Sequence, residues 1–261
     1  MNSISIIIPA YDEAKRIGAS LQSILDYTKI AGRRTEVIVV DDGSNDNTVE
    51  VVQGYSAAYA SGGIELKVLR NPGNRGKGYS IRHGMLAASG EVMLFTDADL
   101  SSPISEAYKL VDPIAAGECD VAFGSRALAY EKIKVHQSFI REFIGRTFNM
   151  MTRLVTGLPY RDTQCGFKAF RRGAVRPVFT RQLIEGFGFD VEVLFIARKL
   201  GFKLMEVPVE WSHVEGTKVG ILSGLRAFLE VLVVRKNDIM GRYSHRRAVV
   251  AAEDAAADLE P

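Results

Sequence analysis

The sequence predicts an α/β fold in which a mostly parallel sheet is flanked by helices. Three observations carry that expectation. Ser3–Ile8, Glu36–Val40, Ile64–Leu69 and Val92–Phe95 are short runs rich in β-branched and apolar residues, as strands covered on both faces tend to be. Stretches with helical spacing lie between them, so strand and helix alternate. Each run also ends in residues that carry chemistry, and an open parallel sheet binds its ligands beyond the carboxyl ends of its strands.

Taken in order, Ser3–Ile8 is stopped by Pro9, and Ala10-Tyr11-Asp12-Glu13 follow as a loop. Ala14–Tyr27 places Ile17, Leu21, Ile24 and Leu25 on one helical face. The second strand ends in Asp41-Asp42-Gly43-Ser44. Asn45–Tyr55 then reads as a helix whose acidic start suits the helix dipole. After the third strand, the glycine-rich basic stretch from Asn71 to Gly78 leads into a helix over Tyr79–Ala88. Its backbone N–H groups and Lys77 can meet a phosphate; a flexible turn is the plainer reading. The spacing fits neither a Walker loop nor the dinucleotide-binding fingerprint. The fourth strand ends in Thr96-Asp97-Ala98-Asp99-Leu100-Ser101. Strand positions i and i+2 share a face, so Asp97 and Asp99 can converge on a hard divalent cation, Mg²⁺ or Mn²⁺. In isolation the pair also reads as a solvated turn.

In the second half, Asp120–Gly124 is a strand ending in Ser125-Arg126, and His136–Leu154 is an amphipathic helix interleaved with Arg141, Arg146 and Arg153. Guanidinium groups grip phosphate bidentately, so these arginines suit an anionic partner. Asp162 lies in a loop where it is a general base, a turn cap or an organiser of the acceptor site. Asp190 and Glu192 open a helix running to Leu200, where first-turn carboxylates are commonly structural. Phe202–Trp211 alternates as a strand. The loop Ser212–Gly220 holds His213, a solvated residue or a further metal ligand, and Lys218, with Gly216 giving it the character of a lid. Val219–Met240 is apolar with basic punctuation that continues to Arg247. It reads as an interfacial membrane helix, or as a surface packed on the domain or a second subunit.

Composition bounds the partners. A net charge of +2 over 261 residues is too small to imply nucleic acid by bulk electrostatics. With 47% hydrophobic and 25% charged residues, the chain has the usage of a water-soluble globular protein. Cys119 and Cys165 fit neither a disulfide framework nor a zinc spacing, which points to reduced thiols. There is no charged leader and no apolar run of about 18 residues. The expectation is a cytoplasmic protein attached peripherally to a membrane.

Four motifs together carry a resemblance: Ile8-Pro9-Ala10-Tyr11-Asp12-Glu13, Val39 to Ser44, Gly73 to Gly78, and Asp97-Ala98-Asp99-Leu100. The set resembles family 2 glycosyltransferases of GT-A fold. Gly124-Ser125-Arg126, Asp162 to Lys168, Gly186 to Glu192 and Val209 to Val219 resemble their polyprenyl-phosphate branch, the dolichyl-phosphate β-glucosyltransferases. That resemblance implies transfer of a sugar, glucose first, from a UDP-sugar to a polyprenyl phosphate. It implies a nucleotide-sugar site of Pro9, Ala10, Tyr11, Glu13, Asp42, Lys77, Asp97, Ala98 and Asp99, with metal at Asp97 and Asp99. Arg126, Arg141 and Arg146 would hold the acceptor phosphate, and Asp99, Asp162 and Arg126 would carry catalysis. Ser101 stands where related mannosyltransferases often have Gln, which leaves a third metal ligand open. The expected organisation is a catalytic domain over 1–218, with a donor half to about 125 and an acceptor half after it. A basic amphipathic helix over 219–247 and a disordered tail over 248–261 complete it. Two readings stay open beside this one: transfer to a saccharide or lipid hydroxyl with Asp162 as base, and a sugar-nucleotide-binding scaffold without turnover. Either could also involve an oligomer.

Overall fold

The computed structural model describes residues 3–128, 149–212 and 221–244. Its centre is a seven-stranded sheet of order β3-β2-β1-β4-β6-β5-β7. The strands are β1 (Ile4–Ala10), β2 (Thr35–Asp41), β3 (Glu65–Arg70), β4 (Val92–Phe95), β5 (Val121–Ser125), β6 (Lys168–Arg171) and β7 (Leu204–Pro208). All neighbours pair in parallel except β6, which runs antiparallel to both β4 and β5.

Alternation along β1 divides the core. Ile6 and Ile8, with Val37 and Val39 of β2, face helix α1 (Ile17–Ala31) through Ile17, Leu21 and Ile24. Ile7, with Ile38 and Val40, faces helix α4 (Lys77–Ala87) through Ile81 and Met85. Helix α5 (Tyr108–Ala115) joins the first layer, and α7 (Arg172–Phe179) and α8 (Phe189–Lys199) join the second. Both faces of β1, β2 and β4 are therefore covered, which is why these strands read as largely apolar runs. Gly84 lets α4 lie close: a Cβ there would stand 2.5 Å from a methyl of Ile7.

The stretch expected as one helix over Asn45–Tyr55 is instead two short ones, α2 (Thr48–Gly54) and α3 (Ser56–Ser61). The start moves to Thr48 because the residues before it serve the first loop. The Asn45 N–H donates to Asp12 Oδ1 at 2.7 Å, and Asp46 Oδ2 accepts from the Ala14 N–H at 3.1 Å. Likewise α1 begins at Ile17, after a turn in which the Arg16 N–H donates to the Glu13 carbonyl at 2.9 Å. Part of the expected His136–Leu154 helix is seen as α6 over 149–156. The long basic helix is α9 (Ile221–Ile239). Its inward face holds Val231, Val234 and Asn237, while Leu229, Leu232, Val233, Ile239 and Met240 are exposed.

Topology decides what meets at the rim. The parallel strands β1, β2, β4, β5 and β7 all end at the same edge, so the loops after them gather there. Because β6 is reversed, it is the loop before it, 162–167, that arrives at that edge.

Candidate active site

The first two loops are knitted by backbone donors. The Asp12 N–H donates to Ser44 Oγ at 2.9 Å and the Glu13 N–H to Thr48 Oγ1 at 2.8 Å. Pro9 pairs with Val40 inside the sheet, and the Ala10 carbonyl accepts from the Asp42 N–H at 2.8 Å. Tyr11 reaches across to Asn45, with its hydroxyl 3.4 Å from Nδ2. Asp12 and Leu100 adopt left-handed backbone, with φ of 51° and 47°. A leucine held there costs on the order of 1 kcal/mol, and strain of this kind collects at functional sites.

Asp97 and Asp99 do turn toward the tyrosine and glycine loops. Lys77 Nζ lies 2.6 Å from Asp97 Oδ1 and also feels the charge of Asp99. Burial lowers the pKa of Lys77, but Asp97 and Asp190 outweigh it, so the lysine stays charged. Asp99 Oδ1 accepts from the Ser101 N–H at 3.0 Å and the Ser101 hydroxyl at 2.9 Å. Its other oxygen is 4.0 Å from Arg16 Nη1. Arg16 also binds Glu13 through Nε at 2.8 Å and Nη2 at 2.7 Å, tying the first loop to the Asp99 turn. The Ala98 carbonyl is fixed by the Ser20 hydroxyl at 2.6 Å. Gly166 packs against Asp97 so tightly that a Cβ would overlap the carboxylate.

Asp42 is tied to the glycine loop. Its Oδ1 accepts from Asn71 Nδ2 at 2.7 Å and the Arg75 N–H at 2.9 Å, and its Oδ2 accepts from the Gly76 N–H at 2.8 Å. Only 4% exposed, it organises the glycine loop from beneath.

Beyond the end of β5, Arg126 and Asp162 form a bidentate pair: Nε to Oδ2 at 2.7 Å and Nη2 to Oδ1 at 2.9 Å. The Arg126 N–H adds a third bond to Oδ2 at 3.0 Å. Burial would push the Asp162 carboxyl up, but the guanidinium outweighs it and holds the pKa below the usual carboxylate range. The Trp211 ring lies 5.7 Å from the guanidinium carbon, a cation–π distance. Glu206 fixes the same loop by accepting from the Asp162 N–H at 2.8 Å. Asp162 is thus committed to Arg126, and its expected alternative as a free base does not fit this geometry: its oxygens are already accepting, and its proton affinity is depressed. Arg141, Arg146, His213 and Lys218 lie outside the described residues.

Sequence reasoning gave no role to Lys168, Arg16, Glu185 or Glu206. Lys168 is fully buried; its ammonium donates to the Cys165 carbonyl at 2.6 Å and pairs with Asp190, over the Phe95 ring. The signal was a lone cation inside the apolar run Phe167–Phe170. Glu206 lies in β7 and carried no local signal. Cys119 and Cys165 are free and buried, and burial, with the Asp162 charge, pushes the Cys165 thiol up to about 11.

Among the described residues no three His, Cys, Asp or Glu side chains cluster as a metal site. Two carboxylates with hard oxygen donors nevertheless suit a cation that keeps water and phosphate in its shell. No described helix is long and apolar enough to cross a membrane.

The family model described as glycosyl transferase family 2 matches residues 5–179. A dolichyl-phosphate beta-glucosyltransferase of Drosophila melanogaster is 38% identical over 226 residues, covering 83% of this chain and 69% of that protein. The human protein of the same name is 32% identical over 251 residues, covering 92% and 77%. Among solved structures, glucosyl-3-phosphoglycerate synthase from Mycobacterium tuberculosis, in complex with Mn²⁺, UDP-glucose and phosphoglyceric acid, superposes with a TM-score of 0.62 at 20% identity. It covers 95% of this chain and 82% of that one. Mannosyl-3-phosphoglycerate synthase from Rubrobacter xylanophilus gives 0.65 at 18% identity, with 92% and 76% covered. At such identities the structures speak to the fold alone, a GT-A architecture.

Proposed function

The chain belongs to glycosyl transferase family 2, and on that premise we propose that it transfers glucose from UDP-glucose to a polyprenyl phosphate of the dolichyl type. The Drosophila and human relatives carry the name of that activity. The observation that carries the reading is the commitment of Asp162 to Arg126. A hydroxyl acceptor needs a general base at its proton. A phosphate monoester, with a second pKa of about 6, is already largely dianionic at neutral pH. It needs positioning instead, and Arg126, oriented by Asp162 and backed by Trp211, supplies a guanidinium for it.

In the step itself, an oxygen of the acceptor phosphate attacks the anomeric carbon from the side opposite UDP. A carbon–oxygen bond to the acceptor forms as the bond to the diphosphate breaks, inverting the centre. Lys77 brings positive charge to the departing diphosphate. Pro9, Ala10, Tyr11 and Glu13 frame the nucleotide, and Asp42 holds the glycine loop in shape. Asp97, Ala98 and Asp99 line the floor, where Asp97 and Asp99 would hold Mg²⁺ or Mn²⁺. Such a cation offsets charge on the diphosphate when bound.

The exposed stripe of α9 with Arg235, Lys236 and Arg242 would rest on a membrane surface and keep the enzyme near its lipid. The test is UDP release from UDP-glucose with a short polyprenyl phosphate, with and without Mn²⁺. Release with the lipid phosphate, lost in Asp99→Ala, is the expected result. Release only with a saccharide acceptor would overturn the assignment.

A further inference from the structure

The glycine loop does not stand alone. The Gly78 N–H donates to the Glu185 carbonyl at 2.8 Å, and Gln182 Nε2 donates back to the Gly78 carbonyl at 2.8 Å. Arg82 adds bonds to the Gln182 carbonyl and the Glu185 carboxylate, each at 3.3 Å. Gly76 has φ of 106°, and a Cβ there would stand 2.5 Å from the Glu185 carbonyl oxygen; one on Gly78 would stand 2.6 Å from that of Ile184. The segment 182–188 is therefore the bed on which the loop lies.

That bed is itself held from below by two carboxylates. Glu192 of α8 accepts from the Leu183 N–H at 3.1 Å and the Ile184 N–H at 2.9 Å, and from the Tyr243 hydroxyl at 2.8 Å. Glu230, on the C-terminal helix α9, accepts from the Gly188 N–H at 2.5 Å. It lies so close under Gly186 and Gly188 that a Cβ on either would overlap it. At Gly188 the atom approached is Cβ of Glu230, so a side chain there would force the helix itself to shift.

We infer that Glu230 is a positioning residue for the nucleotide loop: from the outer helix α9 it fixes Gly186–Gly188, and through that segment the backbone of Gly76–Tyr79. The consequence for function rests on the donor-site reading given above. Helix α9 presents its opposite face, with Leu229, Leu232 and Val233, to the exterior. One element thus carries the outward apolar stripe and the inward clamp, and its seating on the domain sets how firmly the loop is held.

Two measurements on the full chain separate the clamp from the donor site. Amide hydrogen exchange at Gly78 and Tyr79 is compared in wild type, Glu230→Ala and Glu230→Gln, with Ile38 in the central sheet as internal control. Loss of a hydrogen bond to a charged acceptor is expected to raise exchange at Gly78 and Tyr79 about tenfold in Glu230→Ala. Exchange at Ile38 should not change, and Glu230→Gln, which keeps an acceptor oxygen, should restore most of the protection. The dissociation constant for UDP, by titration calorimetry, is expected to rise in step with the exchange. Unchanged exchange at Gly78 and Tyr79, or equal acceleration at Ile38, would overturn the clamp. Accelerated exchange in a protein whose wild type binds no UDP would leave the clamp standing and remove the donor-site reading. If Glu230→Ala does not fold, Glu230→Gln carries the same comparison at smaller amplitude, with Ile38 again the control.

Discussion

The two sides of the cleft are built by different means. On the proposed donor side, loops that follow parallel strands are joined largely by backbone N–H groups donating to side chains, as at Ser44, Thr48 and Asp42. On the acceptor side, ion pairs join residues from separate elements: Arg126 with Asp162, and Lys168 with Asp190. Backbone-anchored loops give a fixed shape that tolerates changes at side chains which contribute only their main chain. Paired charges give orientation, but each depends on its partner.

The largest effect should come from breaking the most deeply buried pair. Lys168→Met removes from Asp190, 3% exposed, the cation it is hydrogen-bonded to and leaves only the more distant charge of Lys77. Removing one partner of a buried ion pair costs about 3–5 kcal/mol, readable by urea unfolding. The double variant Lys168→Met, Asp190→Leu should recover a large part of it. No recovery would mean that the pair does more than cancel its own charges.

A second expectation concerns Glu192, buried between α8 and Tyr243. Burial is the main cause that pushes its carboxyl up to about 7, against opposing hydrogen bonds from Ile184, Tyr243 and Leu183 and the charge of Arg82. A carboxyl whose folded pKa is raised binds its proton more tightly in the native state. Its stabilising contribution is complete below the unfolded value of about 4.3 and is lost as pH rises through about 7. The stake is up to about 3 kcal/mol. The melting temperature should fall between pH 5.5 and 8 in wild type and do so less steeply in Glu192→Gln. Identical slopes would place the titration elsewhere.

The smallest effect distinguishes orientation from proton transfer. Asp162→Asn keeps one acceptor oxygen for Arg126, and as an orienting group its loss should raise the acceptor KM by about tenfold. Donor KM should stay as it was. A general base would instead lose about 10²–10⁴-fold in kcat, and steady-state kinetics with both substrates varied tells them apart.

The same contrast explains what could be read from the chain directly. β1, β2 and β4 were legible because burial on both faces leaves apolar runs such as Ile6–Ile8 and Val37–Val40. The rim was legible because parallel strands must end together. β6 was not read as a strand: its residues Lys168–Arg171 form a four-residue element with a cation at each end, too short for a period to emerge. Helix α2 begins late because Asn45 and Asp46 bind the neighbouring loop, a tertiary demand that local spacing cannot reveal. The hold of Asp42 on the glycine loop was not legible, because it depends on three groups between 29 and 34 residues away.

The reversal of β6 has a consequence for where a change in this scaffold is felt. A strand running against its neighbours delivers its preceding connection to the cleft, so residues 162–167 meet Arg126 through Asp162 and Asp97 through Gly166. A change in that short connection therefore bears on both of those groups at once, while β1 and β2, which do not neighbour β6, stay out of its reach.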